Sequence, residues 1–156
     1  MKISDFLRKE AINTDLKSGS KMDVISEMVS MLVENEIIEK KHKNKIIEGL
    51  MAREALGSTA IGQGIAIPHT KSDTVSGLVS ALAISKKGVN FDSLDGEPVY
   101  IFFLLIAPSD SAGPHLKALA RVSRLLKDKF FRDSLKNTKT AKDVMDLLSQ
   151  EDSRIG

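Results

Sequence analysis

The chain has 156 residues, 42% hydrophobic and 28% charged, a composition typical of a soluble globular protein with one domain over residues 1–156. Its 23 basic and 21 acidic residues leave a net charge of +2, too balanced to indicate a nucleic-acid partner. The absence of cysteine excludes disulfides and cysteine chemistry, and no apolar run reaches transmembrane length. Because Met1 to Asp5 is charged, unlike a signal peptide, we expect a cytoplasmic protein without direct membrane insertion.

The first elements are predicted to be a short helix over 2–9, a strand over 11–16 and a longer helix. Ser20 has the character of the N-cap of that longer helix, with Asp23 three residues on in a capping-box arrangement. An apolar face at helical spacing follows, made of Ile25, Met28, Val29 and Leu32.

A second helix is predicted over 40–55 and a short buried strand over 65–67. Gly57 ends the helix, in the manner of a C-terminal glycine. A proline cannot donate to a sheet, so Pro68 is expected to mark the point where the strand leaves the sheet. The inward face of the helix is predicted to contain Ile46, Ile47, Leu50 and Met51.

Two further strands are predicted over 79–85 and 99–107. The second is apolar throughout, which is typical of a central strand covered on both faces. The segment between them contains a turn signal at 95–96 and is too short for a crossover helix. We therefore expect these two strands to be antiparallel neighbours.

Two helices are predicted in the last third of the chain. A Gly-Pro pair at 113–114 opens a long helix whose leucines, Leu116 among them, are expected to face inward. Thr140 and Asp143 form a second capping box, and the polar tail 150–156 is expected to be frayed. The order of elements predicts a single α/β domain with a mixed parallel and antiparallel sheet, flanked by helices on both faces.

Two of the three histidines lie where chemistry is common. His69 follows the strand that ends at Pro68, and α/β folds bind ligands at strand ends. An imidazole there can attack phosphorus or move protons. His115 lies in a first helical turn, where free N–H groups and the helix dipole attract anions, although an ordinary packing role is the alternative. His42, within a run of lysines, is expected on a solvated surface.

Arg53, near the end of the second helix, is a candidate for stabilising charge on phosphoryl oxygens through its planar fork of donors. An ordinary solvated arginine is the alternative. Ser58 and Thr59 are candidates for additional hydroxyl or backbone donors to a bound substrate. The histidine spacing does not fit a metal site, and the glycine-rich loop lacks the lysine of a Walker motif. We therefore expect neither a metal nor a cofactor.

The segment from Met51 to His69 resembles the signature of the type-2 IIA domains of the bacterial phosphoenolpyruvate:sugar phosphotransferase system. These are the fructose, mannitol and nitrogen-regulatory IIA proteins. Residues 91–99 and 113–120 also resemble family segments, so the similarity covers essentially the whole chain. Thr70 departs from the pattern, because many members carry a smaller residue after the histidine.

The resemblance implies a phosphotransferase component that works through a phosphohistidine. It implies that His69 takes a phosphoryl group from the carrier protein HPr, on its tele nitrogen, and hands it to a cysteine of a IIB domain. The residue pattern alone does not distinguish the two ring nitrogens. By the same resemblance, His115 assists and contacts the phosphoryl group, and Arg53 is the site arginine. The partner surface is expected to be apolar with a charged rim, for which the candidates are Lys71, Lys117 and Arg121.

Three functions remain open at this point. The leading one is a phosphoryl carrier in sugar uptake, most like the fructose branch. The second is a nitrogen-regulatory type of protein, whose phosphorylation state controls binding to regulatory targets such as a kinase or a potassium transporter, without sugar transport. The third is a histidine-based phosphatase, which would release free phosphate without an acceptor.

Overall fold

The computed structural model describes residues 1–156 and contains five α-helices and a six-stranded sheet. The strands are β1 (Ile12–Asn13), β2 (Ala60–Gly62), β3 (Ile65–Ala66), β4 (His69–Ser72), β5 (Val79–Val89) and β6 (Val99–Pro108). The helices are α1 (Lys21–Glu34), α2 (Lys43–Ala55), α3 (Gly113–Leu125), α4 (Lys129–Lys136) and α5 (Ala141–Ile155).

The sheet is mixed, as predicted, and β6 lies at its centre. The strand order is β1-β5-β6-β3-β2, with β4 also paired to β6. β5 runs antiparallel to β6, which confirms the predicted pairing of these two strands. β3 and β4 are parallel to β6, and β1 is parallel to β5.

Helices cover both faces of this sheet. Every residue of β6 from Ile101 to Ala107 is buried, and successive side chains of a strand point to opposite faces. One layer is supplied by α1 and α2, which pack on each other and on β5 and β4 respectively. The other is supplied by α3 and α4, which contact β6, and by α5, which packs on both of these helices. The predicted fold class is therefore confirmed.

The helix starts follow the predicted capping residues. The Ser20 side chain accepts a hydrogen bond from Asp23 N at 3.3 Å, and the Thr140 side chain accepts one from Asp143 N at 3.1 Å. The predicted apolar face of α1 is buried. None of the helices combines the length and the apolar character that crossing a bilayer requires.

The chain does not leave the sheet at Pro68, so that prediction is wrong. β3 and β4 pair with β6 in one continuous register, with Ile65 opposite Ile101 and His69 opposite Leu105. Between them the Pro68 carbonyl still accepts from Leu105 N at 2.9 Å, because proline lacks only the donor. His69 is therefore the first residue of a second strand segment, not the residue after the last.

The inward face of α3 also differs from the prediction. Leu116 is 66% exposed, so it does not face the core. The buried residues of the helix lie three or four apart, and they are His115, Ala118, Val122 and Leu125. The sequence pattern favours Leu116 as the first inward residue because it is apolar, but in the structure the neighbouring His115 begins the buried face.

The two ends of the chain differ from the prediction in opposite ways. The tail 150–156 is not frayed, because α5 continues to Ile155 and Asp152 is only 2% exposed. Asp152 accepts from Ile3 N at 2.9 Å and pairs with Arg121 at 2.8 Å. At the other end, the predicted first helix is two short 3-10 turns and the predicted strand over 11–16 shrinks to β1.

Candidate active site

The ring of His69 is held by the backbone just before it. Its Nδ1 lies 2.7 Å from the carbonyl oxygen of Ile67. A carbonyl can only accept, so Nδ1 carries the hydrogen and donates. In a neutral imidazole the other nitrogen then has the free lone pair. The local backbone therefore leaves the free lone pair on Nε2 of His69, so Nε2 is the ring atom able to act as a nucleophile.

A second imidazole faces the first. The His69 and His115 ring centroids are 5.6 Å apart, with an interplanar angle of 72°. His115 lies in the first turn of α3 and is 6% exposed, and its Nε2 is buried without a hydrogen-bond partner. A buried polar atom of this kind is costly to leave unpaired. The site therefore offers an unused hydrogen-bonding group beside the nucleophile.

Burial is the main cause that lowers the pKa of His69 below its ordinary value. The positive charge of Arg53 acts in the same direction. The hydrogen bond to Ile67 and the negative charge of Glu54 act against it. The net direction keeps His69 uncharged near neutral pH, the state in which an imidazole can attack an electrophile.

The pKa of His115 is lowered as well. Burial is again the largest cause, followed by the positive charges of His69 and Lys71. Two facing rings cannot both become charged without repelling each other. Both imidazoles are therefore neutral at pH 7, and neither has to lose a proton before it can act.

Arg53 stands in the last turn of α2 and is partly exposed. Its Nη1 donates to the carbonyl oxygen of Gly57 at 2.8 Å. Its other N–H groups make no hydrogen bond within the protein and remain free for an anion. Its positive charge acts on His69 and lowers the pKa of that imidazole.

The hydroxyls of Ser58 and Thr59 are both used within the protein. Ser58 Oγ donates to Phe91 O at 2.8 Å and accepts from Ala60 N at 3.0 Å. Thr59 is buried, and its hydroxyl and its backbone N–H both donate to Glu54. Their assignment as donors to a substrate stays a prediction.

Glu54, the acceptor of these bonds, is not among the residues that the sequence pattern singles out. It is 5% exposed, and its carboxylate lies 3.1 Å from the ammonium of Lys21. One signal was available in the sequence, because an acidic residue in the last turn of a helix opposes the helix dipole. Such a position is unfavourable unless another part of the fold uses the charge.

Thr70, the departure from the family pattern, packs against α2. A Cβ atom on Gly49 would lie 3.0 Å from Thr70 Oγ1, closer than ordinary contact. The helix therefore accommodates the larger strand residue with a glycine.

Several apolar side chains on or beside the segments that carry the site are exposed. Leu116 directly follows His115, and Leu56 follows the last turn of α2. Leu94 N donates to Ala60 O at 3.0 Å, which brings it beside β2 and its exposed Ile61. We call this set the apolar surface: Leu56, Ile61, Leu94 and Leu116.

Of the three predicted rim residues, the structure separates one from the others. Lys71 and Lys117 are exposed. Arg121 is instead drawn into its ion pair with Asp152, so it is not available as a rim charge.

Together these groups suit an anionic electrophile. His69 supplies a fixed lone pair, His115 an unpaired ring nitrogen and Arg53 a cation with free donors, as transfer of a phosphoryl group requires. Nowhere in the chain do three or more histidine, aspartate or glutamate side chains gather as metal ligands would.

Comparison with known sequences gives one family and two kinds of relative. The family described as "Phosphoenolpyruvate-dependent sugar phosphotransferase system, EIIA 2" matches residues 5–151. The nitrogen regulatory protein of Bradyrhizobium diazoefficiens is 36% identical over 96% of this chain and 95% of its own length. The fructose-specific EIIABC component of Bacillus subtilis is also 36% identical, over 97% of this chain, which spans only 24% of that longer protein.

Solved structures give the same picture. The nitrogen regulatory protein IIA-Ntr of Neisseria meningitidis superposes with a TM-score of 0.85 at 33% identity, covering 94% of this chain and 98% of its own. The mannitol IIA domain of Escherichia coli, solved in complex with phosphorylated IIB, superposes with a TM-score of 0.77. At 21% identity over 92% of this chain and 97% of its own, it shows a shared fold.

Proposed function

Because the chain belongs to the type-2 EIIA family of the phosphoenolpyruvate-dependent sugar phosphotransferase system, we propose that it carries a phosphoryl group on Nε2 of His69. The observation that supports this most directly is the 2.7 Å contact between Nδ1 of His69 and the Ile67 carbonyl, which leaves Nε2 as the attacking atom. Nε2 is the tele nitrogen, in agreement with the expectation from the family.

The proposed reaction exchanges one phosphorus–nitrogen bond for another. The lone pair of His69 attacks the phosphorus of a phosphohistidine donor in line with the bond that breaks, and the donor ring recovers its electron pair. The ring of His115 and the free N–H groups of Arg53 stabilise charge on the phosphoryl oxygens. A thiolate of the acceptor then attacks the same phosphorus and restores neutral His69.

For partners we propose HPr as donor and a IIB domain as acceptor, with docking at the apolar surface. Exposed apolar groups beside a site are typical of the centre of a protein interface, and charged groups of its edge. Lys71 and Lys117 are the charged groups that we assign to that edge. This assignment rests on family membership and on the exposure of these side chains.

Among the branches of the family we propose a fructose-type carrier, with a nitrogen-regulatory role as the second candidate. The second candidate is favoured by the end-to-end match to a nitrogen regulatory protein and by the structural similarity to IIA-Ntr. In that role the phosphoryl group on His69 would change the affinity for a regulatory target instead of moving to a sugar.

The test of the phosphohistidine is direct. Purified protein mixed with phosphoenolpyruvate, enzyme I and HPr should gain one acid-labile phosphoryl group, as measured by intact mass. His69→Ala should gain none, whereas His42→Ala, the control in the lysine run, should gain the same as the parent protein. Full labelling of His69→Ala would refute the assignment.

The choice between branches is tested by chasing the labelled protein. Rapid transfer of the label to a fructose-type IIB domain supports the transport role. The regulatory role is supported if the protein keeps its label in the presence of each IIB domain tested. Its affinity for a kinase or potassium transporter should then also change on phosphorylation. Release of free phosphate at the same rate with and without acceptor would instead indicate a phosphatase.

A further inference from the structure

We propose that Glu54, together with Lys21, is a positioning residue that fixes the tautomer and the orientation of the His69 ring through the backbone of Thr59 and Ile67. The inference concerns the unphosphorylated protein, and it rests on the proposed function only for its effect on transfer rate.

The first link is the hold of Glu54 on Thr59. The carboxylate accepts from the backbone N–H of Thr59 at 3.1 Å and from its hydroxyl. Both residues are buried, so water does not compete for these bonds. Hydrogen bonds to a buried ionised group are about twice as strong as neutral ones. Glu54 therefore holds both the backbone and the side chain of Thr59 at the end of the loop between α2 and β2.

The second link runs from Thr59 to His69 along the sheet. The carbonyl oxygen of Thr59 accepts from Ile67 N at 3.3 Å. The carbonyl oxygen of the same Ile67 accepts from Nδ1 of His69 at 2.7 Å. The residue that receives the hold of Glu54 thus anchors the residue that selects the nucleophilic nitrogen of His69.

The third link joins this path to the site cation. Arg53 and Glu54 are consecutive, and they hold the loop at two points, Arg53 at Gly57 O and Glu54 at Thr59 N. A shift in the loop would therefore move the guanidinium and the His69 ring together. Phosphoryl transfer is sensitive to such a shift, because an error of about 1 Å in placing reacting groups can cost about 100-fold in rate.

The charges of Lys21 and Glu54 favour a role in positioning the site over a role in stabilising the fold. Lys21, at the first position of α1, opposes the helix dipole, yet it pairs with Glu54 at 3.1 Å and with Asp92 at 3.3 Å. Its ammonium also lies 5.0 Å from the ring centroid of Phe91. A buried ion pair such as Lys21–Glu54 is often replaceable by apolar residues without loss of stability. The Lys21–Glu54 pair is joined through Thr59 to the residues that hold His69, so we assign it a positioning role.

The test measures the ring itself. In protein labelled with ¹⁵N-histidine, the two ring nitrogens of wild-type His69 should have the chemical shifts of a single Nδ1–H tautomer. In Glu54→Gln, which keeps the volume but loses the charge, the shifts should move toward a mixture of tautomers, and the pKa of His69 should fall because the nearby anion is removed. Glu48→Gln, an exposed glutamate of the same helix, is the matched control and should leave both unchanged.

Thr59 variants separate positioning from folding. Thr59→Ala removes the hydroxyl bond to Glu54 and should mix the tautomers, whereas Thr59→Ser keeps the hydroxyl and should restore the wild-type shifts. We expect the rate of phosphorylation by HPr to fall about tenfold in Glu54→Gln, about threefold in Thr59→Ala and not at all in Thr59→Ser. If Glu54→Gln does not fold, the two Thr59 variants alone test the positioning role of Glu54.

The inference is overturned if Glu54→Gln and Thr59→Ala both keep the wild-type ring shifts. It is also overturned if the control Glu48→Gln changes the His69 ring as much as they do. A wild-type protein that takes up no phosphoryl group would refute the proposed function, and the ring shifts would still decide the role of Glu54.

Discussion

Protonation of the two imidazoles of the site couples to folding. The pKa values of His69 and His115 are both lowered in the folded protein, mainly because the rings are buried. In the unfolded chain both pKa values are about 6.5. Below that pH the unfolded chain binds protons that the folded protein does not. The free energy of unfolding therefore decreases as the pH falls from about 6.5 toward the lowered folded-state values.

This coupling predicts a pH effect for His115→Gln. The variant keeps a polar side chain but cannot be protonated, so it should lose less stability than wild type between about pH 7.5 and about pH 5.5. Urea unfolding at both pH values gives, for each protein, the change in the free energy of unfolding between them. His42→Gln, which replaces the half-buried histidine at the start of α2, is the control, and equal losses in wild type and His115→Gln would contradict the prediction.

Arg53 is the candidate cation of the site, and its removal tests how much the guanidinium contributes to the rate of phosphoryl uptake. We expect Arg53→Ala to lower the single-turnover rate of phosphoryl uptake about 100-fold, the cost of one donor that stabilises developing charge. Arg53→Lys should recover part of the rate, because it keeps the charge but loses the fork of donors. Arg124→Ala removes an arginine from the last turn of α3, and its rate should match wild type. An unchanged rate in Arg53→Ala would show that Arg53 is an ordinary solvated arginine with no role in phosphoryl transfer.

At the scale of elements, α2 and β4 meet at Gly49 and Thr70. A glycine inside a helix is normally destabilising by about 0.5–1 kcal/mol relative to alanine. Here an added Cβ would approach Thr70 Oγ1 to 3.0 Å, so the usual gain should disappear. The contact between helix and strand therefore decides the sign of the substitution.

This contact predicts a reversal of sign between two backgrounds. Gly49→Ala should destabilise the wild-type protein, whereas in Thr70→Ala it should stabilise the protein by about 0.5–1 kcal/mol. Urea unfolding of the four proteins in the cycle measures both effects. A gain of the same size in both backgrounds would show that the Thr70 side chain moves aside without cost.

Elements with a strong local signal could be predicted from the sequence. β6 is apolar throughout, and α1 has both an N-cap at Ser20 and a clear buried face. β4 was missed because Pro68 indicates an end, and only the register with β6 shows that the chain continues. α4 was missed because it has only 8 residues, of which Phe131 and Leu135 are buried.

The candidate site also contains features with a local sequence signal and features without one. His69, His115 and Arg53 are candidates that local context suggests, and in the structure the rings of His69 and His115 lie 5.6 Å apart with the charge of Arg53 acting on His69. The contacts that orient them could not be identified from local context, since Lys21 lies far from Glu54 along the chain and Thr59 from Ile67 across a turn. Such pairings follow from the packing of α1 on α2 and from the sheet register, which no local pattern reports.

At the scale of the whole molecule, a buried ion pair ties α3 to α5. Arg121→Leu would leave Asp152 buried without its countercharge, and the free energy of unfolding should fall by about 3–5 kcal/mol. Thermal or urea unfolding measures the loss, and the double variant Arg121→Leu, Asp152→Leu should recover part of it. The exposed pair Lys142–Asp146 on α5 is the control, since Lys142→Leu should cost less than about 1 kcal/mol. A small loss in Arg121→Leu would mean that the end of α5 is loosely attached.

The bond between Ile3 N and Asp152 has a consequence for protein engineering, because it brings the amino and carboxyl termini to one corner of the molecule. A neighbouring module tethered at either terminus would start from nearly the same point. A short linker between the termini should also permit circular permutation, with new ends opened in an exposed loop, while the strand register around the site is kept.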